Sequence, residues 1–238
     1  MKILILGTAR SGSNWVYDSL VKYAAPYQHD SDSDYFYVDT QRKIPVRWNE
    51  PFSDSVFDCN QNWQACMRPN NWVIKSLAHH HTIHYDSMTM QAIRSSDYTV
   101  KLMRHPKSIV ISTIAAQAAD LWGEYSLHKN LKITQEQIKD AVVGMLEEIK
   151  QLHTLPCDTT IYYEDLTTPQ QIYNSIVGPS HTVQNAVDNT KHFVKPNDIY
   201  LNDLDWVDGV IDYEIKNNNS KHISNYPRLF DINRYRKK

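Results

Sequence analysis

The chain begins MKILILGTARSGSNW, from Met1 to Trp15, and this stretch sets the first expectation for the fold. Its apolar run, residues 3–6, predicts a short buried strand that ends at Gly7. Ser11 or Ser13 can cap a helix that begins directly after the turn. Backbone N–H groups of such a turn, together with the start of a helix, form a donor site for an anion. The alternative is an ordinary strand–helix turn with serine caps.

Strands and helices alternate along the rest of the chain. The patterns predict further strands at 72–75, 98–103 and 159–163, and helices at 106–119, 134–153 and 168–177. This alternation predicts an α/β fold with a mostly parallel central sheet flanked by helices. A length of 238 residues suits a single domain over 1–238. Residues 26–70 and those after 180 give no clear pattern.

Composition narrows the class of partner. The chain has 25 Lys and Arg against 27 Asp and Glu, a net charge of −2, so neither nucleic acid nor an anionic membrane is an expected partner. Three cysteines without a Cys-x-x-Cys pair predict no disulfide framework and favour a reducing, cytoplasmic location. The first apolar run is too short for a signal peptide or membrane anchor.

The turn carries a family resemblance. The residues RSGSNW, from Arg10 to Trp15, resemble the 5′-phosphosulfate loop of sulfotransferases that use 3′-phosphoadenosine 5′-phosphosulfate (PAPS) as donor and release 3′,5′-ADP (PAP). Asn14 departs from that family's pattern, in which a hydroxyl residue is usual. The resemblance implies that Arg10 stabilises charge on the leaving phosphate oxygen and that Trp15 stacks on adenine, although core burial is an equal alternative for Trp15. It assigns the 5′-phosphate to Ser11, Gly12, Ser13 and Asn14.

Two later motifs occur in the order of the same family. The segment LMRHPKSIVIS, 102–112, resembles its 3′-phosphate motif, which implies that Arg104 and Ser112 hold that phosphate. The segment IYYEDL, 161–166, resembles one whose tyrosine lies near adenine, and Tyr163 is the match. Each has a plainer alternative: Arg104 as a surface cation, Ser112 as a residue that packs against another helix, and 161–166 as an ordinary strand end. Together the motifs imply a P-loop-like sulfotransferase architecture.

The general base is ambiguous in the sequence. Cytosolic sulfotransferases have a Lys-x-His pattern after the second strand. Lys75 matches the lysine of that pattern, and the resemblance implies that it reaches the donor sulfate. The histidine of the pattern is replaced here by Leu77. Histidine has a pKa suited to this role, so His80 in the run 79–81 is the preferred candidate. Other sulfotransferases use a carboxylate after the first helix. Three aspartates fall in that region: Asp30, Asp32 and Asp34.

Metal binding is not expected. His79, His80, His81 and His84 form a cluster, but the chain has no His-Glu-x-x-His pattern and no cysteine nearby. The resemblance likewise implies no metal. The basic segment 234–238 is expected to be solvated. The alternative is that it substitutes for the late Arg-Lys-Gly motif of cytosolic sulfotransferases, which the sequence lacks.

The predicted function is sulfuryl transfer from PAPS to a hydroxyl or amine of a small-molecule or saccharide acceptor. One alternative is a P-loop nucleotide kinase or phosphotransferase, although Ser13 and Asn14 stand where that class has Lys and Ser or Thr. The other alternative is a non-catalytic nucleotide-binding module.

Overall fold

A computed structural model describes residues 1–24, 38–39, 44–45, 63–64, 66–67, 70–78, 83–119, 134–178 and 204–219. The chain divides into two compact units: Met1–Met103 with Gln151–Lys191, and Arg104–Lys150 with His192–Lys238. The single domain expected over 1–238 stays a prediction.

The first unit contains a four-stranded parallel sheet. Its strands are β1 (Lys2–Gly7), β4 (Trp72–Leu77), β5 (Tyr98–Met103) and β6 (Thr159–Tyr162), in the order β4-β1-β5-β6. Two short strands, β2 (Val38–Asp39) and β3 (Ile44–Pro45), pair antiparallel. Residues 3–6 of β1 are fully buried, as expected for an apolar strand with neighbours on both sides. The predicted α/β class is confirmed.

Three helices of the first unit are α1 (Ser13–Ala24), α2 (Ile83–Ser95) and α5 (Pro169–Val177). Side chains alternate between the faces of a strand, so Ile3 and Ile5 lie on one face of the sheet. There they join a buried cluster with Leu20 of α1 and Ile172 of α5. Helix α2 contacts β1. The first helix therefore packs on this face of the sheet, in contact with both β1 and β4.

The second unit holds α3 (Pro106–Ala119), most of α4 (Gln135–Thr154) and α6 (Leu204–Asn219). Pro106 is the first residue of α3, as its fixed φ and missing N–H predict. Thr134 and Gln137 form the predicted reciprocal cap of α4, with hydrogen bonds of 3.2 and 2.9 Å. The sequence pattern did not predict α2 or α6. No helix in the described part of the chain is long and apolar enough to span a membrane.

The cap of α5 supports a stability prediction. Thr168 Oγ1 accepts from the Gln171 backbone N–H at 3.2 Å, and Gln171 Oε1 accepts from the Thr168 backbone N–H at 3.3 Å. Replacing Thr168 with Ala should lower the free energy of unfolding by about 1 kcal/mol, because a backbone donor at the helix start loses its partner. Urea denaturation measures the change. Thr168→Ser keeps the hydroxyl and should stay close to wild type; equal losses in both variants would contradict this role.

Candidate anion-binding site

The turn between β1 and α1 has an unusual backbone conformation. Arg10 has φ 60° and Gly12 has φ 89°, and Arg10 is the one non-glycine residue with positive φ in the part of the chain that the structure describes. A side-chain-bearing residue in this region costs free energy, and such strain is concentrated at functional sites. Left-handed residues within a turn also direct successive N–H groups toward one side, as in anion-binding nests. The turn therefore has the backbone features of an anion site.

Hydroxyl groups are buried within this turn. Thr8, Ser11 and Ser13 are 1, 0 and 5% exposed, respectively. Among the described residues, no hydrogen-bond partner exists for Thr8 Oγ1 or Ser11 Oγ. A buried hydroxyl without a partner costs about 1–3 kcal/mol. A polar ligand held at the turn would supply hydrogen-bond partners for these two hydroxyls. The buried hydroxyls without partners are therefore the observation that makes the turn fit such a ligand.

A buried lysine reaches the turn from the neighbouring strand. Lys75 of β4 pairs in register with Ile5 of β1, so its side chain lies on the face of the sheet that α1 covers. Lys75 is 2% exposed, and its Nζ donates a hydrogen bond to Asn14 Oδ1 at 2.5 Å. Asn14, the residue that departs from the sulfotransferase loop pattern, thus accepts a hydrogen bond from Lys75. The sheet register brings an ammonium group to the start of α1.

Tyr163 packs against the same turn. It is the first residue of the 3-10 helix Tyr163–Asp165, which follows β6. A Cβ atom added to Gly12 would lie 2.9 Å from Tyr163 Cζ and closer still to two other ring atoms. Trp15 meets Tyr163 edge to face, with ring centroids 5.9 Å apart and an interplanar angle of 84°. Trp15 and Tyr163 are 9 and 6% exposed, so both rings contribute to the core, and their contact with adenine stays a prediction.

The remaining predicted site residues belong to the second unit or fall outside the described residues. Arg104 follows β5 directly and Ser112 lies in α3; both belong to the second unit and are partly buried. Their role at a 3′-phosphate stays a prediction. The base candidates His79–His81, Asp30, Asp32 and Asp34, and the tail 234–238, fall outside the described residues. His84 lies in α2. Within the described ranges, no group of three His, Cys, Asp or Glu side chains is arranged for a metal ion.

The sequence did not predict two contacts at the site, Lys75 with Asn14 and Tyr163 with Gly12. Alternation along β4 predicts that Lys75 shares a face with Val73 and Leu77, but it does not predict the contact with Asn14. Tyr163 and Gly12 are far apart in sequence, and they follow strands β6 and β1, which β5 separates, so no sequence pattern indicates their packing.

The fold and the turn together define an α/β protein with a candidate anion site at the carboxyl end of a central strand. Comparison with protein-family models, curated proteins and solved structures finds no match for this chain. Membership of the sulfotransferase family therefore stays a prediction that depends on the three sequence motifs.

Proposed function

We propose that this protein transfers a sulfuryl group from PAPS to a hydroxyl or amine of a small-molecule or saccharide acceptor, in the cytoplasm and without a metal. The observation that supports the proposal is the geometry of the RSGSNW turn and its surroundings. It combines a strained Arg10, buried hydroxyls and the ammonium of Lys75 at Asn14. The sequence of that turn resembles the 5′-phosphosulfate loop.

The chemistry suits this set of residues. Sulfuryl transfer needs positioning of the reacting groups and stabilisation of charge on the leaving phosphate oxygen. Arg10 offers a planar, permanently charged guanidinium for that oxygen. Lys75 adds a second cation in a buried setting, where charge–charge attraction is stronger than in water. The acceptor also needs a base, for which His80 and Asp34 remain the candidates.

A P-loop phosphotransferase is the second candidate, and one observation favours it. The Lys75 ammonium reaches the turn from β4, so a cation is present although the turn itself has no lysine. Such an enzyme would bind its nucleotide with Mg²⁺. A non-catalytic module that binds a nucleotide through the same turn is the third candidate.

Isothermal calorimetry with PAP and with ATP–Mg²⁺ distinguishes these candidates. We expect PAP to bind with a dissociation constant in the micromolar range, at least about tenfold tighter than ATP–Mg²⁺. The control ligand is 5′-AMP, which lacks the 3′-phosphate and should bind more weakly than PAP. Binding of ATP–Mg²⁺ without binding of PAP would contradict the sulfotransferase and favour the phosphotransferase. PAP binding without any conversion of PAPS, across hydroxyl and amine acceptors, would favour the non-catalytic module.

A further inference from the structure

We propose that Asn14 is a positioning residue for Lys75. Its side-chain oxygen holds the Lys75 ammonium at the turn, so that a cation from β4 serves where a P-loop would use a lysine of the turn itself. The inference rests on the anion site of the proposed function, but it concerns how that site acquires its second cation, whichever phosphorylated ligand the site takes.

Burial makes the contact with Asn14 important. An ammonium group with 2% exposure is stable only when hydrogen-bonded, because removal from water is costly for a charge. The Lys75 stem is held by the strand, since Lys75 lies in the middle of β4 and pairs with Ile5 of the central strand. Asn14 lies in the first turn of α1. The hydrogen bond therefore joins two fixed elements, which restricts the position of Nζ.

The chemistry of asparagine suits this role. Lysine offers only donors, so the atom of Asn14 that faces Nζ must be its oxygen. That leaves the Asn14 amide N–H groups available to other acceptors. A neutral acceptor also leaves the positive charge of Lys75 in place, whereas a carboxylate would compensate it. Asparagine thus orients the cation without reducing its attraction for an anion.

A second buried lysine provides a matched control. Lys101 of β5 is 7% exposed and donates to the Leu155 backbone carbonyl at 3.1 Å. It pairs in register with Leu6, whereas Lys75 pairs with Ile5, so the two lysines occupy opposite faces of the sheet. Lys101 therefore shares the burial and strand setting of Lys75 but not its contact with the turn.

A double-mutant cycle tests the inference. Calorimetry would measure PAP and inorganic pyrophosphate affinities for wild type, Asn14→Leu, Lys75→Met and the double variant. Lys75→Met should weaken binding at least about tenfold, because a charge-assisted contact is lost. Asn14→Leu should weaken it several-fold in the wild-type background and less than about twofold beside Lys75→Met, since Asn14 acts through Lys75. Equal effects of Asn14→Leu in both backgrounds would overturn the proposal. Lys101→Met should leave both affinities unchanged.

Asn14→Asp separates positioning from a merely structural role. It keeps the acceptor and the shape but adds a negative charge, so the melting temperature should equal or exceed that of wild type while anion affinity falls at least about tenfold. Unchanged affinity in Asn14→Asp would overturn the proposal. Circular dichroism checks folding, and Asn14→Ala replaces Asn14→Leu in the cycle if the leucine variant does not fold.

The two ligands separate this inference from the proposed function. Pyrophosphate binding with the expected coupling, but no PAP binding, would overturn the sulfotransferase and support the role of Asn14. The absence of binding of either ligand to wild type would overturn both. Binding of PAP without coupling between Asn14 and Lys75 would be consistent with the proposed function but would show that Asn14 is not a positioning residue.

Discussion

Replacement of Gly12 by alanine is expected to lower the free energy of unfolding by about 3 kcal/mol. Two effects add at this position. The backbone has φ +89°, which residues with a side chain rarely adopt, and the new methyl group would collide with the Tyr163 ring. Tyr163 is 6% exposed and cannot move without disturbing its contact with Trp15. Urea denaturation followed by circular dichroism measures the loss.

Gly144 is the matched control for this substitution. It lies inside α4, and a Cβ atom there would meet no other atom within 4 Å. Gly144→Ala should therefore stabilise the protein by about 0.5–1 kcal/mol, because alanine is the better helix former. Tyr163→Leu in the Gly12→Ala background should recover part of the loss by relieving the collision. A Gly12→Ala variant as stable as wild type would show that the turn does not have this conformation.

Replacement of Arg10 by alanine is expected to reduce the conversion of PAPS to PAP by about 10²–10³-fold while the fold stays intact. The guanidinium is the group that the proposal assigns to the leaving phosphate oxygen, and alanine removes it. Chromatographic measurement of PAP release gives the rate. Arg10→Lys keeps a cation and should retain most of the activity; unchanged turnover in Arg10→Ala would remove Arg10 from the site.

The backbone of Arg10 adds a second readout. Its φ of 60° is unfavourable for a residue with a side chain and favourable for glycine. Arg10→Gly should therefore be more stable than wild type by about 1 kcal/mol while it loses turnover as Arg10→Ala does. Opposite changes in stability and activity are expected when strain is kept for function. A destabilised Arg10→Gly variant would contradict strain at this position.

Local signals account for the elements that the sequence predicted. The apolar run before Gly7, Pro106 at the start of α3 and the Thr168–Gln171 cap each act within a few residues, so they can be recognised without knowledge of the fold. Helix α2 was missed because small side chains, Thr89 and Ala92, are its buried residues among those whose burial is described. A stripe of small residues gives a weak apolar pattern.

Helix α6 was missed for a different reason. Its segment contains three Asp and three Asn, residues that favour turns and caps, although apolar residues recur at 204, 207, 211 and 215 with helical spacing. Ile211 on that stripe is fully buried. In this segment the spacing of a few apolar residues was more informative than the average composition.

The site was predictable only where it is contiguous in sequence. Residues of the turn share one short stretch, so a motif identifies them. The contact of Lys75 with Asn14 depends on the pairing of β4 with β1, and that of Tyr163 with Gly12 depends on β6 lying two strands from β1, beyond β5. Strand order is a long-range property, and no local pattern encodes it.

A crystal structure of the complex with PAP tests the central claim most directly. The 5′-phosphate should lie about 2.7–3.2 Å from backbone nitrogens of residues 12–14, within reach of the Arg10 guanidinium and the Lys75 ammonium. The same structure would show whether His80 or Asp34 faces the position of the transferred group. A nucleotide bound away from the turn, or with its 5′-phosphate out of reach of both cations, would contradict the account.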